Sequence, residues 1–453
     1  MPNFSQQSVD ITTLHILNQD TQHLYSRLLK KQNEHKAIVV IPCLATEFTE
    51  EENRSVFTNI LLHLCTIEYL HTIIFGLDGA DESDMRQLES LIRGCGLRNA
   101  IIQWNEGAEF SALYQKLEDA GFDVSIPGKG RNMFMSFGVC LALDADSVAV
   151  IDADIKSFSK EQIDRLLYPV MALDYDFAKG YYSRIHNNHF YGRVKRLLVD
   201  PLLIALKRQL MHGSEEKFVR ILDFLLNFHY QLSGEVAYRR DLLKQMRFSM
   251  NWGVEIYSLI EVYRKASSIC QVQFSSDPFD HKHQNVDNNH GKPCGLQEMA
   301  VDIIGTLLNF LMVEEGLVLG PTFFRDLSET YITVAKRMIK KYAHDSTFNN
   351  LQYDRDAEER LVRDVFRTAL VTNGERLSFQ SRLSAIFLFF TKAHPEFMND
   401  NAQGLAEVIM EVAENSPYSL LHIPHTPSWE SVIATLPHIL DELSMAASPV
   451  SCN

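Results

Sequence analysis

The chain has 453 residues, more than a single hydrophobic core usually spans, so we expect two domains or one large domain with an appended part. Its formal net charge of −15 argues against a nucleic-acid-binding protein, because phosphate backbones require clustered Lys and Arg, but it leaves room for a local pocket that binds a small anion. Scattered cysteines, the absence of an N-terminal secretion signal and the absence of an apolar run of about 20 residues predict a cytoplasmic protein without membrane insertion.

The first third of the chain alternates between strand and helix patterns. Leucines near helical spacing predict an amphipathic helical lead-in over residues 12–33, to which the sequence assigns no function. Strands are then predicted at 37–42, 72–78 and 99–104, and helices at 56–70, 82–93 and 133–143. This alternation is typical of an α/β fold with a mostly parallel sheet wound by crossover helices.

A buried strand at Val148–Ile151 runs directly into two carboxylates, Asp152 and Asp154. Open α/β sheets bind ligands at the carboxyl ends of their strands, and two such carboxylates can share a divalent cation that substrate phosphates also hold. The alternative is a turn in which both side chains accept backbone hydrogen bonds. Asp144 and Asp146 precede the strand, at the opposite edge of the sheet, and we interpret them as a solvated turn.

A basic loop flanked by glycines, Pro127–Asn132, lies just upstream and leads into the predicted helix at 133–143. Glycines let a backbone approach a ligand closely, and a helix N-terminus beside Lys129 favours phosphate. The loop lacks the spacing of a P-loop. Taken alone, a loop of this kind is more often an ordinary turn than a phosphate site.

Three polar segments follow the carboxylates. Arg193, Lys195 and Arg196 form a basic cluster, for which a solvated helix face is the alternative explanation. Glu255 stands at the start of a predicted helix, where it can simply compensate the helix dipole. The loop containing His281 follows a predicted strand, so its imidazole can complete a metal site, although on these residues alone a surface polar loop is favoured.

From residue 296 onward the pattern is helical and carries no chemical motif. Helices are predicted at 299–314, 322–342, 356–372, 377–392, 402–414 and 429–443. We therefore expect a helical lead-in over 1–36, a sheet domain over 37–295 and an α-helical C-terminal domain over 296–453. The last would pack on the sheet domain or mediate self-association, for example as a homodimer.

The order of these motifs resembles the retaining GT-A glycosyltransferases that make glucosyl-3-phosphoglycerate, together with the related mannosylglycerate synthases. The matching segments are Pro127–Gly130, Ile151–Phe158, Lys179–Arg184, Gly192–Val194, Ser233–Glu235 with Arg239–Arg240, Trp252–Glu255 and Asp280–Lys282. They cover roughly residues 37 to 290 in the order of the family. The resemblance implies a GT-A fold, a Rossmann-like sheet with helices on both faces, and strongly favours the metal-site interpretation.

On the donor side, the resemblance implies that Asp154 binds Mg²⁺ or Mn²⁺ directly, while Asp152 holds the ribose or the metal shell. His281 is similar to the third metal-side ligand of the family, and Lys129 to its basic residue near the donor diphosphate. Glu255 resembles the acidic residue that faces the transferred sugar, either orienting it or, as a second alternative, acting as a nucleophile. Further donor-binding positions implied by the resemblance are Pro42, Leu44, Asp78, Gly128 and Ala153.

On the acceptor side, Arg184 and Arg193 match residues that bind the acceptor and its phosphate. The other implied substrate-binding positions are Gly192, Gly234, Glu235, Trp252, Lys282 and His283. The chain departs from the family where Pro42 is followed by Cys-Leu-Ala-Thr-Glu instead of an Asn-Glu pair, where Lys195 replaces a threonine and where His283 replaces an asparagine.

The sequence thus predicts a metal-dependent retaining glycosyltransferase that moves a hexose from UDP-glucose or GDP-mannose to 3-phosphoglycerate or D-glycerate, giving a product of the compatible-solute type. The alternatives are the same fold with a protein, lipid or sugar acceptor, and a catalytically silent nucleotide-binding module. The silent module is disfavoured because it has no need for five intact residues of the site: Lys129, Asp152, Asp154, Glu255 and His281.

Overall fold

The computed structural model describes residues 5–18, 20–211, 216–280, 295–317, 319, 322–393, 425–447 and 449–450, with backbone alone for 381–393. Its strands are β1 (Ile11–Leu14), β2 (Ala37–Leu44), β3 (Leu70–Asp78), β4 (Ala100–Trp104), β5 (Ser147–Val150), β6 (Phe177–Tyr181), β7 (Ile185–His186), β8 (His189–Phe190), β9 (Val236–Arg239) and β10 (Ile269–Gln273). One eight-stranded sheet has the order β1-β10-β6-β9-β5-β2-β3-β4, and β7 pairs with β8 in a separate ribbon.

The large sheet is mostly parallel, as predicted. The exception is β9, which runs antiparallel between β5 and β6. No strand was predicted for β9, because a run of only four residues shows too little pattern to distinguish a strand from a loop.

Helices cover both faces of the sheet and form the C-terminal part. They are α1 (Gln22–Lys31), α2 (Thr46–Thr49), α3 (Glu51–Leu64), α4 (Glu82–Cys95), α5 (Ala108–Asp119), α6 (Lys129–Ala142), α7 (Lys160–Ala172), α8 (Asp200–Leu210), α9 (Glu216–Leu226), α10 (Arg240–Gln245), α11 (Val254–Lys265), α12 (Leu296–Asn309), α13 (Phe323–Phe348), α14 (Arg355–Leu361), α15 (Arg367–Ala393), α16 (Trp429–Thr435) and α17 (Ile439–Ala446). Short π-helical turns at Lys195–Val199, Phe310–Glu314 and Val362–Phe366 adjoin α8, α12 and α14.

Two hydrophobic clusters lie on opposite faces of the sheet. Along β2, Ile38 and Val40 belong to one cluster, whereas Val39 and Ile41 belong to the other. This alternation follows from the two-residue period of a strand, and it explains why a strand buried on both faces carries a continuous apolar run.

The predicted helical lead-in was wrong at its beginning. Ile11–Leu14 forms edge strand β1, which pairs in parallel with β10, and α1 begins only at Gln22. The burial of β1 alternates from residue to residue, and Thr13 is buried where the side-chain amide of Gln271 donates to its hydroxyl (3.0 Å). Four residues of strand are too short to stand out beside a leucine-rich helix.

The C-terminal part is helical, as predicted, but the helices predicted at 356–372 and 377–392 form one unbroken run from α14 through α15. The helix predicted at 402–414 lies outside the described residues. Side chains of α12, such as Ile303 and Leu307, share a hydrophobic cluster with the sheet. The domain border at residue 295 stays a prediction.

Among the described residues, one helical stretch, Leu296–Glu314, has the length and apolar composition of a membrane span, with a mean hydropathy of 1.4. Most of it (61%) is buried inside the molecule. Burial against the rest of the protein accounts for its apolar composition.

Candidate active site

A cavity of about 750 Å³ opens at the carboxyl ends of β2, β3 and β5. Because these three strands are parallel and adjacent, segments far apart in sequence meet at the same edge of the sheet. The predicted site residues that line the cavity are Pro42, Leu44, Asp78, Gly128, Lys129, Asp152, Ala153, Asp154, Arg184, Gly192, Arg193, Trp252 and Glu255.

The ammonium group of Lys129 bridges two carboxylates in this cavity. Its Nζ donates to Oδ1 of Asp152 (2.7 Å) and to Oε1 of Glu255 (3.1 Å). Burial lowers the pKa of Lys129, but the two carboxylates outweigh it and hold the pKa above its usual value. Lys129 is therefore a fixed positive charge between Asp152, two residues after the end of β5, and Glu255 in the first turn of α11.

Two glycines bring Lys129 to this position. A Cβ on Gly128 would lie 2.4 Å from the carbonyl oxygen of Met250, and one on Gly130 would lie 1.9 Å from that of Ser249. The start of α6 can therefore pack directly against the backbone that leads to Glu255. The same packing directs the N-terminus of α6 into the cavity, where its free N–H groups and positive dipole end favour an anion.

Asp152 is also confined from behind. A Cβ on Gly234 would approach its two carboxylate oxygens to 2.5 and 2.6 Å, so any larger residue there would displace the carboxylate. The buried ammonium of Lys179 donates to the carbonyl of the adjacent Ser233 (2.7 Å) and holds this turn in place, while burial lowers the pKa of Lys179 to about 8.

Asp152 and Asp154 supply oxygen donors suited to a divalent cation. Mg²⁺ typically takes one or two carboxylates and completes its shell with phosphate oxygens and water, so these residues fit such an ion. Within the described ranges, no group of three His, Cys, Asp or Glu side chains converges on a metal position. His281, predicted as the third ligand, lies outside those ranges, as do Lys282 and His283.

Asp280 lies close to the loop that follows the two carboxylates. The backbone N–H of Lys156 donates to the carbonyl of Asp280 (2.9 Å), and Asp280 also pairs with His186 (2.7 Å). The last described residue before His281 therefore lies beside the loop that follows Asp154.

Asp78 ends β3 and is held by two amides. Asn105 donates to its Oδ1 (2.6 Å) and Asn132 to its Oδ2 (2.9 Å). Burial raises the pKa of Asp78, and the two amide hydrogen bonds oppose that shift. The carboxylate is thus oriented at the cavity wall, with Leu44 exposed beside it.

Another part of the cavity lining is cationic. Its residues are Arg184, Arg193 and Lys195. The pKa of Arg193 is lowered, mainly by burial and also by the positive charges of Arg196 and Arg184. Tyr191 and Glu358 oppose this shift but do not outweigh it. Lys195 is paired with Asp200 (2.6 Å). The solvated helix face that was the alternative for this cluster does not describe Arg196, which is buried.

Glu235 does not reach the cavity. It is fully buried, and its Oε2 accepts hydrogen bonds from the hydroxyls of Tyr182 (2.8 Å) and Ser233 (2.9 Å). Gly234 likewise stands behind Asp152 and does not line the cavity. These two residues, predicted to bind the substrate, lie behind the residues that line the cavity.

Several residues that line the cavity were not predicted from the sequence. Glu47 contributes from α2, and Glu298 and Asp302 contribute from α12. Asp302 accepts a hydrogen bond from the backbone N–H of Trp252 (3.2 Å), and burial raises its pKa to about 6. No local motif marks these three residues, since each reaches the site only through tertiary packing.

Comparison with known proteins identifies the family. A glucosyl-3-phosphoglycerate synthase of Persephonella marina is 35% identical over 451 residues, which is 98% of either chain. The chain belongs to the glucosyl-3-phosphoglycerate synthase family. A second member of that family, from Methanococcoides burtonii, is 29% identical over 81% of this chain and 88% of its own. The family consists of glycosyltransferases, as the motif order implied.

Other comparisons are less close. No family model matches the sequence. A crystal structure of glucosyl-3-phosphoglycerate synthase from Mycobacterium tuberculosis with Mn²⁺, UDP-glucose and phosphoglyceric acid is 22% identical, covering 66% of this chain and 87% of its own, with a TM-score of 0.45. Mannosyl-3-phosphoglycerate synthase from Rubrobacter xylanophilus is 19% identical, covering 68% and 83%, with a TM-score of 0.47.

Proposed function

We propose that this glycosyltransferase moves glucose from UDP-glucose to 3-phosphoglycerate with retention of the anomeric configuration, using Mg²⁺ or Mn²⁺. One observation carries the proposal. A single cavity is lined by Lys129, Asp152 and Asp154, which we call the donor wall, and by Arg184, Arg193 and Lys195, which we call the acceptor wall. One wall suits a nucleoside diphosphate with a cation, and the other suits a small anionic acceptor.

Several features support a nucleotide-sugar donor. Leu44 and Pro42 offer apolar surface for a base at the ends of β2, and Asp78 offers an oriented acceptor for hydrogen bonds from the nucleoside. The N-terminus of α6 and Lys129 provide positive potential for the diphosphate. Glucose is proposed over mannose because the full-length relative is named for glucosyl transfer, and the choice of UDP over GDP is tested by the screen below.

The cationic wall supports a phosphorylated acid as the acceptor. Arg184 and Arg193 present guanidinium groups, which match carboxylate and phosphate geometry with two parallel hydrogen bonds. Lys195, which is paired with Asp200, also lines the cavity. 3-Phosphoglycerate carries both a carboxylate and a phosphate, so it offers these cations more negative charge than D-glycerate, which carries only the carboxylate.

The chemistry follows from where negative charge develops. As the bond between the sugar and the diphosphate breaks, the leaving diphosphate gains charge, and Lys129 and the N–H groups at the start of α6 lie ready to stabilise it without reorganising. Asp154, Asp152 and His281 would hold the divalent cation, which would supply Lewis-acid stabilisation of the leaving diphosphate.

We assign Glu255 the role of orienting the sugar. Its carboxylate is shared with Lys129, and a carboxylate engaged by an ammonium group is a weaker nucleophile than a free one. Retention then requires the acceptor hydroxyl to attack from the face that the leaving group departs from. The cationic wall would hold the acceptor on that side.

A donor and acceptor screen tests the proposal. UDP-glucose, GDP-glucose, UDP-mannose and GDP-mannose are each combined with 3-phosphoglycerate or D-glycerate, with and without Mg²⁺ or Mn²⁺, and nucleoside diphosphate release is measured. We expect the highest kcat/KM for UDP-glucose with 3-phosphoglycerate and no turnover without metal. The coupling constant of the anomeric proton in the product then reports its configuration. Preference for D-glycerate or for a mannosyl donor would overturn the assignment.

We further propose that the enzyme works in the cytoplasm. The five cysteines that the structure describes, Cys43, Cys65, Cys95, Cys140 and Cys270, are all free thiols, as expected in a reducing compartment. A homodimer stays a prediction.

A further inference from the structure

The segment that carries the acceptor-side arginines docks onto the C-terminal helices. We call residues 184–196, which include β7, β8 and the first two residues of the π-helical turn, the acceptor arm. Its tip is tied to the end of α13: the side chain of Asn188 donates to the carbonyl of Asn350 (3.0 Å), and the N–H of Gln352 donates to the carbonyl of Asn188 (2.8 Å). The arm is therefore supported by a region more than 150 residues away, and not by the sheet alone.

The base of the arm is fixed by Arg196. This side chain is only 6% exposed, and its Nε donates to the carbonyl of Tyr191 (2.9 Å). Its two terminal nitrogens donate to the two carboxylate oxygens of Glu358 in α14, at 2.6 and 3.3 Å. Its guanidinium also lies over the ring of Tyr342 in α13, 4.5 Å from the centroid.

Glu358 is held in turn by its own neighbours. It is 8% exposed, and the hydroxyl of Tyr353 donates to the same oxygen that accepts from Nη1 of Arg196. Both partners of this ion pair are therefore buried and satisfied. Removing the charge of either one leaves the other without its partner in a dry site.

Arg196 is also connected by backbone hydrogen bonds to the residues around Arg184 and Arg193. The backbone N–H of Arg196 donates to the carbonyl of Gly192 (3.0 Å), and that of Tyr191 donates to the carbonyl of Arg184 (2.9 Å). Gly192 has a φ of 69°, a left-handed turn that glycine favours, and directs the chain into Arg193. Arg193 thus lies within a loop whose two ends are both fastened by Arg196.

We propose that Arg196 and Glu358 are positioning residues, through which the C-terminal helices set the geometry of Arg184 and Arg193 and hence the affinity for the anionic acceptor. This inference rests on the proposed function in placing the acceptor at those two arginines. Because binding residues displaced by about 1 Å can lose most of their effect, the ion pair controls the acceptor without touching it.

Steady-state kinetics of three variants test the proposal. Glu358→Gln keeps the shape but leaves the charge of Arg196 uncompensated, and Arg196→Lys keeps the charge but loses the two-pronged contact. For both we expect KM for 3-phosphoglycerate to rise by on the order of tenfold, with KM for UDP-glucose changed by less than about twofold. Glu359→Gln is the matched control, since Glu359 pairs with Arg355 at the surface and does not contact the arm.

Amide hydrogen exchange over residues 186–196 separates failure of this inference from failure of the proposed function. We expect faster exchange in Glu358→Gln and wild-type exchange in Glu359→Gln, whatever the acceptor is. If 3-phosphoglycerate is not turned over by the wild type, the proposed acceptor is wrong, and the same KM comparison is made with the acceptor found in the screen. Unchanged exchange in a folded Glu358→Gln protein, or equal rises in KM for donor and acceptor, would overturn the positioning role.

Discussion

The two walls of the cavity are built in different ways. The donor wall lies at the ends of strands and the starts of helices in the sheet domain. Lys129 begins α6, and Asp152 and Asp154 follow within four residues of the end of β5. The acceptor wall comes from the acceptor arm, which is hydrogen-bonded to Glu358 and to the chain just after α13. One wall is local to the sheet, and the other is assembled from both parts of the chain.

This difference predicts how the walls respond to substitution. On the donor wall, charged groups contact one another directly, so losing one should impair the chemical step. On the acceptor wall, the supporting contacts lie behind the arginines, so losing one should weaken binding of the acceptor and leave the chemical step nearly intact. The ratio of the effects on kcat and KM therefore distinguishes the walls.

Lys129→Met should have the largest effect. It removes the cation between Asp152 and Glu255 and leaves two carboxylates facing each other, while the diphosphate loses a nearby positive charge. We expect kcat to fall by on the order of 10³-fold, in the range found when a preorganised charge-stabilising donor is removed. The measurement is UDP release at saturating acceptor.

Lys116→Met is the control for this prediction, because Lys116 pairs with Glu442 away from the cavity. It should keep wild-type kcat. If the Lys129→Met enzyme retains more than a tenth of the wild-type kcat, Lys129 does not act on the chemical step. The predicted difference between the two walls would then be wrong.

Gly234→Ala should have the next largest effect. It acts by steric contact and changes no charge. The added methyl group would press on both oxygens of Asp152, at 2.5 and 2.6 Å, and would push that carboxylate from Lys129. We expect kcat to fall by roughly ten- to a hundredfold, with KM for the acceptor little changed. Steady-state kinetics with both substrates measure the two quantities.

Gly94→Ala is the matched control, since a Cβ at Gly94 in α4 meets nothing within 4 Å. There the substitution should leave kinetics unchanged and raise stability by up to about 1 kcal/mol, because alanine is the better helix former. If Gly234→Ala changes KM for the acceptor and spares kcat, then Gly234 supports the acceptor wall instead.

The same difference explains what could be predicted from the sequence. Asp152 and Asp154 were found because they follow a buried apolar strand, and Lys129 because glycines flank it at a helix start. Such signals lie within about ten residues of chain. The parallel sheet itself was predicted for the same reason, since strands and helices alternate over short distances.

What was missed depends on pairings between distant segments. Arg196 and Glu358 are separated by 162 positions, and each looks like an ordinary charged residue of a helix. The short strands β1 and β9 gain their structure from neighbours in the sheet. Glu298 and Asp302 were assigned to a C-terminal region without chemistry, although α12 contributes them to the wall of the cavity.

Asp302→Asn should have the smallest effect, and it tests how α12 belongs to the site. Burial raises the pKa of Asp302 to about 6 in the folded protein, above the value of about 3.9 expected when unfolded. The folded state therefore binds the proton more tightly, so this carboxyl stabilises the protein below about pH 4 and loses that contribution as pH rises through 6. Asparagine does not titrate and still accepts the hydrogen bond from Trp252.

Relative to wild type, the Asp302→Asn protein should consequently gain stability between pH 4 and 6, by on the order of 1–2 kcal/mol, and the gain should level off above pH 7. Urea unfolding at pH 4.5, 6 and 7.5 measures it. Glu298 also raises the pKa of Asp302 by its negative charge, so in a Glu298→Gln background the gain from Asp302→Asn should be smaller and should level off at a lower pH. A stability difference that is the same at all three pH values would mean that Asp302 is not buried against Trp252, and that α12 does not close this side of the cavity.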